Sequence, residues 1–203
     1  MLHSAVSANK TIYLDYSATT PLDSQVLEKM LPYFGQEFSN ASSMHSSGRR
    51  AAQVIAGVRR DVANILGAYP EEIIFTGSGT ESDNLAIMGT ARANRDFGNH
   101  IIISAIEHKA VIESARQLEK EGFIVSVIPV DSLGMIDIDA CLKLITDKTI
   151  LISVMYANNE IGTIEPIKEL AVAIKNWRDK HGQNIFPILH TDACQVAGVL
   201  SLN

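Results

Sequence analysis

Short apolar runs alternate with longer amphipathic runs along most of this chain, and that alternation limits the folds it can adopt. The apolar runs predict buried strands, and the amphipathic runs between them predict helices. The predicted strands are residues 73–76, 101–104, 124–130, 150–155 and 186–191. The predicted helices are residues 24–34, 48–66, 80–95, 110–121, 137–146 and 166–181. This repetition predicts an α/β fold whose sheet is mixed or parallel and is covered by helices on both faces.

Composition excludes several classes of function. The 203 residues are 46% hydrophobic, which is enough to bury one sizeable core. The net charge of −6 is spread along the chain without a basic run, so we expect no nucleic-acid partner. No apolar run reaches the roughly 18 residues of a membrane-spanning helix, so we expect no membrane partner either. The two cysteines, Cys141 and Cys194, cannot build a disulfide framework, and we expect a cytoplasmic location.

The segment 75–84 combines an apolar run, a loop of small residues and the start of a helix. The first N–H groups of a helix have no partner inside it and lie at the positive end of its dipole. A phosphate at this point therefore finds donors already in place, with Gly79 allowing close approach and Thr80 adding a hydroxyl. The same turn could also be no more than a tight connection.

Chemically active side chains also follow three other predicted strands. Since ligands of α/β sheets gather at the carboxyl ends of the strands, we expect these residues to share one pocket. Each has a simpler interpretation: a histidine in the core, an Asn-Asn turn, or an aspartate that caps a turn. The residues are Glu107, His108 and Lys109, then Asn158, Asn159 and Glu160, then Asp192 and Gln195.

Six segments of the chain resemble one known family. They are residues 13–21, 40–49, 75–84, 107–111, 158–162 and 190–195. In order and nearly in spacing they are similar to those of the cysteine desulfurases, pyridoxal-phosphate enzymes of the class-V aminotransferase group. The resemblance implies the large domain of a pyridoxal-phosphate-dependent transferase of fold type I, an α/β fold with a mostly parallel sheet between helices. It also implies conversion of L-cysteine to L-alanine with transfer of sulfur to an enzyme persulfide, for iron–sulfur cluster assembly or other sulfur delivery.

The resemblance also implies roles for particular residues. A carboxylate beside the ring nitrogen of the cofactor keeps it protonated, and a protonated ring is the stronger electron sink. A histidine suits proton transfer near neutral pH. By resemblance, Gly79 and Thr80 would hold the phosphate, His108 would stack on the ring and act in catalysis, Asp192 would face the ring nitrogen, and Gln195 and Asn159 would lie near the phenolic oxygen. No metal site is expected.

Two departures from the family concern the proposed chemistry. Members usually carry a serine before the first glycine of the phosphate loop, whereas here the order is Gly77 then Ser78, and we expect the phosphate site to survive with one donor shifted. The family segments with the Schiff-base lysine, the nucleophilic cysteine and the carboxylate-binding arginine are absent from these 203 residues. We therefore expect an incomplete, inactive fragment.

The resemblance implies a domain organisation and partners as well. Residues 1–15 would pack with the small domain, residues 16–203 would form an incomplete large domain, and the C-terminal small domain would be absent. The full-length protein would be a homodimer that acts on L-cysteine and can pass sulfur to an acceptor protein.

Several alternatives stay open at this point. A selenocysteine lyase or another class-V lyase or aminotransferase would share these residues. A nucleotide-binding module could use Gly77 and Gly79, although Ser82 replaces the third glycine of that motif. A non-catalytic remnant or interaction protein would keep the fold without turnover. A metal site built from His108, His190 and Asp192 is the weakest alternative.

Overall fold

The computed structural model describes residues 12–200. The chain divides into two compact units, Met1–Ile55 and Ala56–Asn203. Most of the predicted segment 1–15 lies outside the described residues, as do residues 201–203, so the expected domain organisation stays a prediction. None of the helices in the described part of the chain combines the length and the apolar character that a membrane crossing requires.

A four-stranded sheet lies at the centre of the second unit. Its strands are β1 His100–Ser104, β2 Ile124–Ile128, β3 Thr149–Ser153 and β4 Ile188–His190. The strand order is β2-β1-β3-β4, and each neighbouring pair runs parallel, which confirms the predicted parallel α/β sheet. The chain leaves β1 towards β2 on one side and returns to β3 on the other. The strand order therefore reverses between β1 and β3, where ligands of such sheets bind.

The helices fall within the predicted ranges to within a few residues. They are α1 Ser24–Met30, α2 Ser46–Leu66, α3 Gly79–Asn84, α4 Thr90–Ala93, α5 Lys109–Lys120, α6 Ile138–Leu144 and α7 Ile167–His181. A π-helical segment, Leu85–Gly89, joins α3 to α4, and short 3-10 turns occupy Leu31–Phe34 and Pro70–Glu72. Side-chain caps fix several starts, as the periodicity and polar start signals predict. Asp23, Ser78, His108 and Asp137 are the capping residues.

The predicted strand 73–76 is wrong. These residues have no regular secondary structure, and within residues 12–200 they join no sheet. Ile74 and Phe75 are 69% and 49% exposed, so this apolar run is not a buried strand here. An apolar run shows only that a segment favours burial, and a strand also needs a neighbour to pair with.

Two apolar clusters cover the two faces of the sheet. On one face, the β1 residues Ile101 and Ile103 pack with Leu118 of α5 and Ile87 of the π-helical segment. On the other, Ile102 of β1 and residues of α6 and α7 form the second cluster. Consecutive β1 residues thus serve opposite clusters, as the alternation of side chains along a strand requires. The sheet is thus packed on both faces, and the carboxyl ends of its strands are where a site can be built.

Candidate functional site

The loop before α3 is fixed by a reciprocal pair of hydrogen bonds. Ser78 Oγ accepts from the Glu81 N–H at 3.2 Å, and Glu81 Oε2 accepts from the Gly77 N–H at 2.6 Å. These two donors are therefore used inside the loop. The N–H groups of Gly79 and Thr80 belong to the first turn, where a helix offers its amides no carbonyl partner. Gly79 and Thr80 thus begin α3 with the donor geometry that suits an anion.

Gly79 lies where this loop touches the chain that follows β4. A Cβ atom placed on Gly79 would lie 2.6 Å from Cys194 Sγ, far closer than atoms approach without displacement. The close approach therefore requires a residue without a side chain at position 79, or a shift of the thiol. Two loops that are more than a hundred residues apart in sequence meet at this contact.

Asp192 and Gln195 lie in the chain that follows β4. Asp192 is half-buried, its Oδ1 accepts from the Cys194 N–H at 2.9 Å, and its carbonyl accepts from the Tyr156 N–H at 2.8 Å. Gln195 is exposed in the turn that follows. The bond to Tyr156 joins this segment to the chain after β3, so two adjacent strand ends hold Asp192 in place.

His108 and Asn159 line one cleft of about 510 Å³. His108 is the N-cap of α5, and its Nδ1 accepts from the Ala110 N–H at 3.1 Å. Since Nδ1 is an acceptor, this hydrogen bond assigns the proton of the neutral ring to Nε2. Asn159 is half-buried, in the loop that follows β3.

Asp83 links these two groups of residues, and sequence reasoning missed it. It is 3% exposed on α3, and its pKa is raised to about 6 by burial and by the charge of Asp192, with His108 acting in the opposite sense. Asp83 therefore lies within electrostatic range of residues on both sides. Its spacing from Thr80, one helical turn, was the signal that could have revealed it.

His190, the last residue of β4, contacts the same aspartate. Its Nε2 lies 3.8 Å from Asp83 Oδ1, and its Nδ1 lies 3.0 Å from Ser153 Oγ. Burial lowers the pKa of His190, while the charge of Asp192 raises it. Because burial dominates, the ring is neutral near pH 7 and the contact is not a full ion pair.

Glu107 is a second buried acid that received no role from the sequence. Its Oε1 accepts from Ser104 Oγ and from the Met155 N–H, both at 2.8 Å. Its Oε2 is buried and has no hydrogen-bond partner among residues 12–200. Burial raises the pKa of Glu107 to about 7, with smaller contributions of the same sign from Asp192 and Asp83, while the two hydrogen bonds lower it.

Two features limit the chemistry of this region. In the part of the chain that the structure describes, no three His, Cys, Asp or Glu side chains are grouped so as to hold a metal ion. The Cys194 thiol has its pKa raised to about 12, first by burial and then by Asp192, so it is protonated and poorly nucleophilic near pH 7. The arrangement can bind an anion at the start of α3, pair Asp192 with a positive group, and move a proton at His108.

Comparison with known proteins finds clear relatives. The family described as Aminotransferase class-V matches residues 12–202. The cysteine desulfurase IscS of Clostridium botulinum is 47% identical over 195 residues, which are 96% of this chain and 47% of that protein. A solved NifS-like protein superposes with a TM-score of 0.86 at 36% identity, over 94% of this chain and 50% of that one. A structure described as SspA in complex with cysteine superposes with a TM-score of 0.78 at 36% identity, over 89% of this chain and 50% of that one.

Proposed function

The chain belongs to the class-V aminotransferase family, and from that membership we propose that it carries the cofactor-binding residues of a cysteine desulfurase. Such an enzyme converts L-cysteine to L-alanine and takes the sulfur as a persulfide, for iron–sulfur cluster assembly or another acceptor. The chain spans about half the length of the curated relatives it matches. The activity, the L-cysteine substrate, the sulfur-acceptor protein, the homodimer and the cytoplasmic location all belong to this proposal.

The contact between Gly79 and Cys194 is the observation that carries the proposal. It brings the start of α3, which suits a phosphate, against the loop that holds Asp192 and Gln195. Pyridoxal phosphate has a dianionic phosphate at one end of a ring and a basic nitrogen on the same ring. A ligand of that kind needs an anion site and a carboxylate close together, and the two adjoining loops supply both.

The remaining residues fit the same ligand. When bound, pyridoxal phosphate supplies an electron sink for negative charge that develops on the substrate. Gly79 and Thr80 would hold its phosphate, and the Asp192 carboxylate would keep the ring nitrogen protonated. His108 would stack on the ring and move protons at Nε2, the nitrogen that its bond to Ala110 leaves available. Gln195 and Asn159 would hold the phenolic oxygen with their amides.

Cysteine is favoured over other substrates of the family by one observation. The SspA structure, which this chain matches at 36% identity, is a complex with cysteine. A selenocysteine lyase stays the alternative, because the side chains assigned above would hold the same cofactor for either amino acid.

The proposal is tested by titrating the purified chain with pyridoxal phosphate and recording the visible spectrum. We expect a saturable change in absorbance. Replacing Asp192 by Asn removes the charge opposite the ring nitrogen and should weaken binding about 10- to 100-fold. Asp179→Asn, at an exposed position on α7, is the matched control and should leave the affinity unchanged. Equal affinities of the two variants, or no saturable change in the wild type, would refute the proposal.

A further inference from the structure

Two side chains tie the loop after β1 to the loop after β3, each reaching towards the backbone of the other loop. Glu107 Oε1 accepts from the Met155 N–H at 2.8 Å. In the opposite direction, Asn158 Nδ2 donates to the Ile106 carbonyl at 2.9 Å. We call these two crossing hydrogen bonds the loop clamp. The clamp lies between β1 and β3, the strands between which the order of the sheet reverses.

Each side chain of the loop clamp is also anchored within its own loop. Ser104 Oγ donates to Glu107 Oε1 at 2.8 Å. Asn158 Oδ1 accepts from the Glu160 and Ile161 N–H groups, at 2.8 and 3.1 Å. The two side chains are therefore held in one orientation before they bridge the loops. This is the arrangement expected of residues that set a distance rather than residues that react.

Burial makes these hydrogen bonds hard to replace by water. Glu107, Ser104 and Met155 are 6%, 1% and 2% exposed. Removing the carboxyl would leave the Met155 N–H and the Ser104 hydroxyl without an acceptor in a site closed to solvent, which costs more than the net value of the bonds. The Glu107 side of the loop clamp is thus a strong constraint on the chain after β3.

The residue that follows each member of the loop clamp is one assigned to the cofactor. His108 follows Glu107, and Asn159 follows Asn158; all four line the same cleft. We propose that Glu107 and Asn158 are positioning residues whose crossing hydrogen bonds fix the separation of His108 and Asn159 across the cleft. The inference rests on the proposed function only in its identification of the cleft with the cofactor site.

The charge around Glu107 explains why a glutamine serves as its control. Asp83 on α3 and Asp192 after β4 both face it with negative charge, and its own segment carries His108 and the exposed Lys109. Glutamine keeps the acceptor oxygen and adds no charge to this group of acids. Glu107→Gln should therefore retain the clamp, whereas Glu107→Ala removes it.

Amide hydrogen exchange on the 203-residue chain without cofactor tests the loop clamp directly. We expect Glu107→Ala to speed exchange at Met155 about tenfold or more and to speed exchange at Glu160 and Ile161 in the opposite loop. Asn158→Ala should affect the loop after β1 and speed exchange at Ala110, whose N–H donates to His108. Glu107→Gln should keep all of these rates within about threefold of the wild type.

Affinity for pyridoxal phosphate, measured by absorbance, gives the second readout. Both alanine variants should weaken binding about tenfold, and Glu107→Gln should not. If the exchange changes stay confined to the amide that lost its partner, the residues are local supports and the inference is wrong. If the wild type binds no cofactor, the proposed function fails. The exchange data still show whether the loop clamp couples the two loops. Should Glu107→Ala fail to fold, Ser104→Ala is the milder test, because it removes only the hydrogen bond that anchors Glu107. Exchange must then also become faster in the opposite loop.

Discussion

The buried titratable groups at the two ends of strand β1 differ in whether their polar atoms have hydrogen-bond partners. At the amino end, the ring of His100 contacts Thr149 Oγ1 at 2.7 Å and Ser126 Oγ at 2.9 Å, so both nitrogens are paired and three strands are joined. Beyond the carboxyl end, Glu107 pairs one oxygen, while the other has no partner within the described residues. The polar side-chain atoms of His100 are thus fully hydrogen-bonded within the protein, and those of Glu107 are not.

We interpret this difference as a contrast between an end that stabilises the fold and an end that, under the proposed function, binds a ligand. Burial lowers the pKa of His100, and its neutral ring fits its two hydroxyl partners. Beyond the other end, Asp83, Glu107 and Asp192 lie within electrostatic range of one another. After burial, the charge of Asp192 contributes to the raised pKa values of both Asp83 and Glu107, and His108 acts in the opposite sense on Asp83. Clustered acids with raised pKa values are typical of functional sites, and the proposed ligand would bring a positively charged group to this one.

The largest expected effect on stability is at the amino end of β1, where His100 is fully hydrogen-bonded. His100→Ala should lower the free energy of unfolding by about 3 kcal/mol, because it leaves a cavity and strips two buried hydroxyls of their partner. Urea denaturation followed by circular dichroism measures this loss. His181→Ala, at an exposed position on α7, is the control and should cost under about 1 kcal/mol. A loss at His100 no larger than that of the control would remove the distinction between the two ends.

The two ends should also respond to pH in opposite directions. Raised carboxyl pKa values give stability that is present in acid and lost as the pH rises through about 6 for Asp83 and about 7 for Glu107. The lowered pKa of His100 gives stability that is lost as the pH falls below the ordinary histidine value. The free energy of unfolding of Asp83→Asn, relative to that of the wild type, should therefore rise by about 1–2 kcal/mol from pH 5 to pH 8.

Urea midpoints at a series of pH values measure this effect, with Asp179→Asn again as control. A constant difference between Asp83→Asn and the wild type across the whole range would mean that Asp83 carries no unfavourable charge in the folded chain.

The smallest expected effect concerns the contact that joins the loops at the carboxyl end. Gly79→Ala gains helix propensity of about 0.5–1 kcal/mol but places its Cβ against Cys194 Sγ, and we expect a net loss of about 1 kcal/mol. In a Cys194→Ala background the same substitution should become neutral or stabilising. Thermal melts of the four proteins give the coupling, and an equal cost of Gly79→Ala in both backgrounds would show that the two loops do not touch.

The helices and most strands were predictable because their signals are local. The apolar run that became β1 and the capping aspartate of α6 each carry their cause within a few residues. The segment 73–76 was not predictable, because it has the composition of a strand, and strand pairing depends on what lies beside it. Asp83 was missed, and Glu107 was listed without a role of its own, for a related reason: their burial comes from segments that are distant in sequence.

The order of short motifs along the chain was sufficient by itself to indicate the family by resemblance, and that resemblance in turn implied the residues that are proposed to hold its cofactor. The tertiary structure alone decided that Gly79 meets Cys194 and that three acids share one region. It also decided that Glu107 and Asn158 cross between two loops. These facts depend on distances and burial, which arise only when the parallel sheet brings its strand ends to one edge.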